Sequence, residues 1–496
     1  MRQFSPAWLR STDSNSISAS IFKRLCNHIP AQPKRQPMKN AASPLRALAE
    51  FSASVHLNAC PDSVVVKARA LLLYGIAVGV TSASAPILKR VAAALRHEYG
   101  TAPAVATCLM DGSGAAMSAA AFCNAVLFHV RIQDDAHPAG HMGTVILPAA
   151  LAVAEARASS GRDLLAAVIS GYEVALRIGR DHAADLSERG FRTTPIYGAF
   201  GAAAACARLL GLDPQRTMHA LATTTHSAGG LREFASAGTD EYPFQAGFAA
   251  RNGLTSALLA AEDIAGTATA LTGRAGFFRA FGDRDKDYAK RLLDGLGSYY
   301  ETERVTYKPY PGGQFHRSVI RAFAALRLAA AGAQFEAARV HMHPFEARFL
   351  GLDYNGPFYT YAQAFFSVPF CAALAWLHGT VTFAALNRFD DRQVLDLVAR
   401  THVVSDESCE RYKPQVRVTV REGGVLEWSE DSGEDIYNLN WDIAVEMTHR
   451  LCAEAGVPEK QADALIDAVR TVAPQESISS LMTAAAAVAR GAVLAF

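Results

Sequence analysis

None of the eight cysteines of this chain forms a CxxC pair, so neither a zinc ribbon nor a dithiol redox motif finds support. Most stand in apolar surroundings and read as buried free thiols of a reducing compartment. Net charge is nearly absent as well: 48 Lys and Arg against 47 Asp and Glu leave +1. No global field then draws the chain to nucleic acid or an anionic membrane, and an anionic ligand must be attracted by a local cluster of cations. No uninterrupted apolar run reaches the roughly 20 residues that span a bilayer. The longest candidates are broken by His, Arg or Asp, and a soluble protein is expected, mitochondrial or cytoplasmic. Also missing are a GxGxxG opening a βαβ unit, a P-loop, an HExxH pair and a GxSxG elbow. Those absences set aside nicotinamide, nucleotide, zinc-protease and α/β-hydrolase chemistry.

What is present is a long chain, half apolar and 19% charged, the balance of a globular protein. At 496 residues it exceeds one ordinary core, so two packed domains are expected. The first 42 residues differ from the rest. Arg2, Arg10, Lys23, Arg24, Lys34, Arg35 and Lys39 face a single acid, Asp13, among recurring serines. An Arg- and Ser-rich, acid-poor leader reads as an organellar transit peptide. A disordered tail, or translation starting at Met38, reads the same residues more plainly; in each case residues 1–42 are set apart from the fold.

From residue 43 to 304 nearly every segment reads as helix, with apolar residues at three- and four-residue spacing and Gly or Pro between runs. Asp163 to Ile178, Thr217 to Ser227 and Phe248 to Ile264 are examples. The character changes near Val305. Arg339 to His343 and Val416 to Val420 alternate apolar and polar residues, the second running into the turn Glu422-Gly423-Gly424, as a β-hairpin would. An aromatic helical block, Ala362 to Leu386, lies between them. The expected fold is mainly α: a large all-α domain (43–304) and a smaller inserted α/β lid (305–435). C-terminal helices (436–496) would then return to the first domain.

Four segments could carry chemistry. Asp134-Asp135-Ala136-His137-Pro138-Ala139-Gly140-His141 puts two acids and two histidines in a loop before an apolar helix from Val145, a pattern suited to proton transfer or metal binding. Helix capping by the acids is the plainer reading, and with no further dense cluster nearby no metal is expected. Gly190-Phe191-Arg192-Thr193-Thr194-Pro195-Ile196-Tyr197-Gly198 leads into a small-residue helix from Ala199. There exposed N–H groups and Arg192 could hold a carboxylate, or the segment is an ordinary interhelical loop. Between Leu231 and Gly253, Arg232, Glu233, Asp240, Glu241 and Tyr242 form a charge run of the kind that is usually a solvated face. Lys308-Pro309-Tyr310-Pro311-Gly312-Gly313, ending in His316-Arg317, stands at the domain junction, where ligand clefts tend to lie.

Taken together these segments resemble the MmgE/PrpD family, which includes 2-methylcitrate dehydratase, cis-aconitate decarboxylase and iminodisuccinate epimerase. The likeness runs from about Leu45 to the C-terminus. It rests on Asp134 to His141 with Val145-Ile146-Leu147-Pro148, on Gly171-Tyr172-Glu173 with Arg177-Ile178-Gly179, on Tyr197-Gly198-Ala199 with Leu209-Leu210-Gly211-Leu212, on Gly247 to Gly253 and on Lys308-Pro309-Tyr310-Pro311. The resemblance implies a helical body with an α/β lid, a homodimer, no organic cofactor, and a cleft whose histidines and lysines hold carboxylates. It also implies that His141 and Lys308 stand at active-site positions. Three positions depart from the family pattern: Ile132 replaces an acid, Arg192 a histidine and Tyr242 a lysine. Arg192 can bind a carboxylate but shuttles protons poorly, and Tyr242 brings no fixed charge, which points to an altered substrate.

The expected activity is therefore that of a cofactor-free lyase acting on a small di- or tricarboxylate, most plausibly dehydrating a 2-alkylcitrate or 2-methylcitrate. Decarboxylation, epimerisation at a carbon α to a carboxylate, and a non-catalytic carboxylate-binding homologue are the alternatives. His141 is the expected proton-transfer residue, Lys308 and Arg192 the carboxylate clamps, and Tyr242 a candidate acid. Asp134 or Asp135 would orient His141. His137, Thr194, Tyr197 and Gln245 are candidate substrate contacts. No metal, nucleic acid or membrane partner is expected.

Overall fold

The structure is a computed structural model, described for residues 43–99, 104–421 and 423–494. The leader, and Glu422 of the expected turn, lie outside the described residues. The described residues are mostly helical, with two small sheets. Helix starts follow local rules. Ser160 caps the Gly161–Arg180 helix by accepting from the Asp163 N–H, Asp163 sits in the first turn, and Arg177 and Arg180 meet the negative end of the dipole. Asp213 caps Pro214–Thr224 in the same way, with Pro at the helix start.

Five helices pack on one another at the centre: Met117–His129, Gly143–Ala156, Gly161–Arg180, Thr193–Leu209 and Tyr242–Ala261. Met117–His129 and Gly143–Ala156 are almost wholly buried, so their sequences are apolar all round rather than striped. Small residues let axes approach. A Cβ on Gly171 would lie 2.8 Å from the Gly201 carbonyl oxygen, and one on Gly201 equally close to that of Gly171. That contact ties the Thr193–Leu209 helix, whose first turn reaches the site, to the Gly161–Arg180 helix.

Two helix starts lie earlier in the chain than expected. The Ala199 helix begins at Thr193 and the Phe248 helix at Tyr242. Pro195 and Pro243 occupy first turns, where a missing N–H costs nothing, so these prolines open helices rather than mark loops.

By length and composition alone the Asp62–Val80 helix could cross a membrane, yet most of it is buried within the protein. It packs against Trp441–Glu454, Glu459–Arg470 and Ser479–Gly491. Its buried Lys67 donates to the Val305 carbonyl, Asn438 Oδ1 and the Leu439 carbonyl, each at 2.6 Å. Burial first of all pushes that ammonium down to about 7. A core helix accounts for this segment.

Among the described residues strands are scarce in the first part of the chain, where only β1 (Ala106–Cys108) and β2 (Ser113–Ala115) pair. The larger sheet holds β3 (Phe335–Met342), β4 (Thr401–Ser405), β5 (Gln415–Val420) and β6 (Val425–Ser429) in the order β4-β3-β5-β6. Only β3–β4 is parallel, and Val340 stands opposite both Val403 and Val416. A parallel pair requires a crossover. Here it contains Tyr361–Phe366, Val368–His378 and Arg392–Val398, the aromatic block among them. β5 and β6 form the expected hairpin, while β4 was not anticipated.

Candidate active site

The Met117–His129 helix ends at His129, and the chain turns back through Ile132, whose φ of 54° is strained for a β-branched residue. The turn returns Asp134 beneath His129. Asp134 Oδ2 lies 3.2 Å from His129 Nδ1 and 3.3 Å from Lys308 Nζ, and all three residues are buried. Lys308 also donates to the Gly312 carbonyl at 3.2 Å. Burial by itself would raise the Asp134 carboxyl, but His129 and Lys308 outweigh it and hold the group below the usual carboxylate range. Lys308 is pushed down by burial, with Asp134 pulling the other way.

On its other edge, His129 Nε2 meets Arg192 Nη2 at 2.5 Å. A guanidinium only donates, so Nε2 accepts and the ring proton sits on Nδ1, facing Asp134. Burial, reinforced by Arg192, pushes His129 down to about 4 against the pull of Asp134. The result is a buried chain, Lys308–Asp134–His129–Arg192, that delivers one guanidinium to the cleft.

Asp135 performs a different task. Its carboxylate accepts from the Gly143 N–H at 3.1 and 3.2 Å and from the Tyr172 hydroxyl at 2.8 Å. A Cβ at position 143 would stand 2.7 Å from that hydroxyl, so the approach requires glycine. Burial raises the Asp135 carboxyl to about 7, helped by Asp134. Its main-chain carbonyl receives His141 Nδ1 at 2.6 Å. Because a carbonyl only accepts, the His141 proton is on Nδ1 and Nε2 is left as a bare lone pair available to a ligand. Thr194 Oγ1 accepts the His141 main-chain N–H at 3.1 Å, fixing the loop to the first turn of the Thr193–Leu209 helix. Burial, and then Lys308, hold His141 well below the ordinary imidazole value, so the ring is neutral.

These groups open onto a cavity of about 170 Å³. His141, His137, Thr194, Arg192 and Arg232 contribute its polar side, and five phenylalanines, Phe234, Phe315, Phe345, Phe349 and Phe366, much of the rest. Arg192 donates to the Tyr242 carbonyl at 2.9 Å and lies 4.8 Å over the Phe234 ring. Burial pushes it down to about 10, which still leaves a full charge at neutral pH. Arg232 donates to the Ser187 carbonyl at 3.2 Å and lies 4.1 Å over Phe349. His137 Nδ1 accepts from the Ala139 N–H at 3.1 Å, so its proton is on Nε2, 3.4 Å from Glu301 Oε2. Arg180 holds Glu301 from the other side at 2.8 Å. Burial lowers His137. Among the described residues no group of three or more His, Cys, Asp or Glu is arranged to hold a metal ion.

The structure therefore brings His141, Arg192, His137 and Thr194 to one cavity and leaves other candidates behind it. Lys308 does not line the cavity; its ammonium, buried, requires the Asp134 counter-charge and holds it. Asp135 orients His141 through its carbonyl rather than its carboxylate. The Tyr242 hydroxyl donates to the Val130 carbonyl at 2.7 Å, and burial raises it well above the usual phenol value, which argues against an acid role. The Tyr197 hydroxyl pairs with His182 Nδ1 at 2.9 Å in a separate aromatic cluster, and Gln245 Nε2 donates to the Leu231 carbonyl at 2.9 Å. Sequence reading missed two groups. His129 is hidden at the end of an apolar helix, where a lone histidine looks like core. Arg232 belongs to the run read as a solvated face, though its half-buried side chain enters the cleft.

Fold and cleft together define a mainly helical protein whose cavity gathers two histidines, two arginines and a wall of phenylalanines. The chain matches the MmgE/PrpD N-terminal domain over residues 46–289 and the MmgE/PrpD C-terminal domain over residues 310–433, and it belongs to the MmgE/PrpD family. Among curated relatives, a cis-aconitate decarboxylase-like protein, oryM, of Aspergillus oryzae is 32% identical over 265 residues, 50% of this chain and 54% of that protein. The cis-aconitate decarboxylase of Aspergillus terreus is 31% identical over 296 residues, 56% of this chain and 59% of the relative. That of Homo sapiens is 34% identical over 202 residues, 39% and 40% respectively. In these three alignments the chain spans 40–59% of the relative's length.

Proposed function

We propose that the chain is a cofactor-free carboxy-lyase that decarboxylates a small unsaturated polycarboxylate, with His141 as the proton-transfer residue and Arg192 as a carboxylate anchor. The observation that carries this reading is the single uncommitted nitrogen of His141, Nε2, held by Asp135 and Thr194 in a cavity that also holds Arg192. A polyanion entering beside His141 favours its protonated form, so the ring can take up a solvent proton and deliver it from Nε2. In the step itself the bond between carbon and the departing carboxylate breaks and carbon dioxide leaves. Its electron pair forms a new double bond to the neighbouring carbon, and the former alkene carbon takes the proton from Nε2. Arg192 stabilises the charge that builds on a retained carboxylate. The names of the curated relatives support the reaction class. Residues 305–435 are read as a lid closing over this cleft.

A second reading, dehydration of a 2-alkylcitrate, is favoured by one observation. With Nδ1 committed to the Asp135 carbonyl, Nε2 carries the lone pair, which is suited to remove a proton α to a carboxylate. Proton NMR on the full chain in heavy water, with cis-aconitate, citrate, 2-methylcitrate, longer 2-alkylcitrates and a dicarboxylate, separates the two. Carbon dioxide release with one deuterium gained supports decarboxylation, and a new vinyl signal without carbon dioxide supports dehydration. Deuterium exchange without net loss points to epimerisation. No change with any acid counts against a lyase and for a carboxylate-binding homologue.

A further inference from the structure

Five phenylalanines and two guanidiniums share one cavity of about 170 Å³, and among the described residues no carboxylate lines it. Each guanidinium lies on a phenyl ring, Arg192 over Phe234 and Arg232 over Phe349, so both are held in place by the apolar wall itself. Their protein hydrogen bonds are to main-chain carbonyls and, for Arg192, a neutral imidazole, and among the described residues neither pairs with an acid. The other charged groups nearby cancel: Lys308 is matched by Asp134 behind the wall. Burial lowers both His141 and His137, so neither adds a fixed charge at neutral pH. The cavity thus presents two guanidiniums that have no acid in ion-pair contact among the described residues, Asp134 acting on Arg192 only from behind the wall. Around them Phe315 meets Phe349 edge-on at 4.9 Å, and Phe349 lies 5.8 Å from Phe366.

We infer that the cleft selects a dicarboxylate bearing an alkyl or aryl arm, with Arg192 and Arg232 taking one carboxylate each and the arm lying among Phe315, Phe349 and Phe366. A third carboxylate in place of that arm would lie against phenyl rings without a counter-charge, and an unpaired buried anion is strongly disfavoured. An apolar arm there leaves water for a preformed aromatic surface, worth about fourfold in affinity for each buried methylene. Arg232 is on this account a specificity-determining residue, its guanidinium held on Phe349 at the cavity wall and suited to bidentate recognition of a carboxylate. The inference rests on the same cavity as the proposed lyase activity but concerns binding, so the two can fail separately.

The test is calorimetric binding to the full chain with three probes: succinate, benzylsuccinate, and the tricarboxylate cis-aconitate. Benzylsuccinate is expected to bind at least about tenfold more tightly than either of the others. Arg232→Gln should weaken both dicarboxylates by about tenfold or more. Phe315→Ala should erase the advantage of the benzyl group and leave succinate binding nearly unchanged, which shows that the variant is folded. Cis-aconitate binding as tightly as benzylsuccinate would overturn the inference. So would Arg232→Gln binding as the parent does, or no binding by any probe. Preferential benzylsuccinate binding with no turnover of any acid would leave the inference standing and remove the lyase reading. Tight binding and decarboxylation of cis-aconitate would do the reverse.

Discussion

His129 and Lys308 approach the same oxygen, Asp134 Oδ2, at 3.2 and 3.3 Å, and all three residues are buried. One carboxylate thereby neutralises a buried ammonium and orients the imidazole that steadies Arg192. Asp134→Asn should therefore destabilise the protein by about 3–5 kcal/mol, because Lys308 is left buried without its counter-ion. Denaturant unfolding measures the loss, and Asp134→Asn combined with Lys308→Met should recover much of it. Equal loss in the single and double variants would show that the pairing is not what the carboxylate supplies.

His129 acts through Arg192 rather than on a ligand. Replacing it with Leu removes the Nε2 acceptor that meets Arg192 Nη2. KM for an anionic substrate should rise by about tenfold while kcat falls less, because a mis-set guanidinium weakens ground-state and transition-state binding together. His129→Gln, which can still accept from Arg192, should restore part of the affinity. A fall in kcat alone would contradict a positioning role.

The Glu301 carboxyl is held down to about 2 from an ordinary 4.5, His137 and Arg180 outweighing the burial that would raise it. A carboxyl lowered in the folded state adds stability that is complete above the unfolded value of 4.5 and is lost as pH falls toward 2. Glu301→Gln should accordingly flatten the acid limb of the stability curve between those values, read as unfolding free energy against pH. An unchanged slope there would mean that the His137–Glu301–Arg180 contact carries no such linkage.

The helices were legible because their burial pattern is written in the sequence. The Gly161–Arg180 helix has its cap at Ser160 and its dipole charges at Asp163, Arg177 and Arg180, and β3 and β5 show the alternation that a half-buried strand needs. β4 escaped because Thr401–Ser405 is short and its partner is parallel, so no turn announces it. The site was legible where chemistry clusters along the chain, at Asp134 to His141, and obscure where folding assembles it. Arg232 comes to the cleft from a run that looks solvent-facing, and the phenylalanines arrive from positions 234 to 366. Lys308, placed at the junction by sequence, is drawn behind the wall by Asp134. No local pattern records which of two nearby carboxylates a lysine will choose.

His141 bears the central claim, and solvent-isotope incorporation by His141→Gln measured beside the parent chain tests it most directly. With whichever acid the parent turns over in heavy water, the account predicts product carrying one deuterium at the protonated carbon. His141→Gln should keep the parent's thermal midpoint and ligand affinity while turnover and deuterium uptake fall together by about 10²–10⁴-fold. Undiminished turnover by the folded variant, with deuterium arriving at the same carbon, would contradict the assignment of proton transfer to His141.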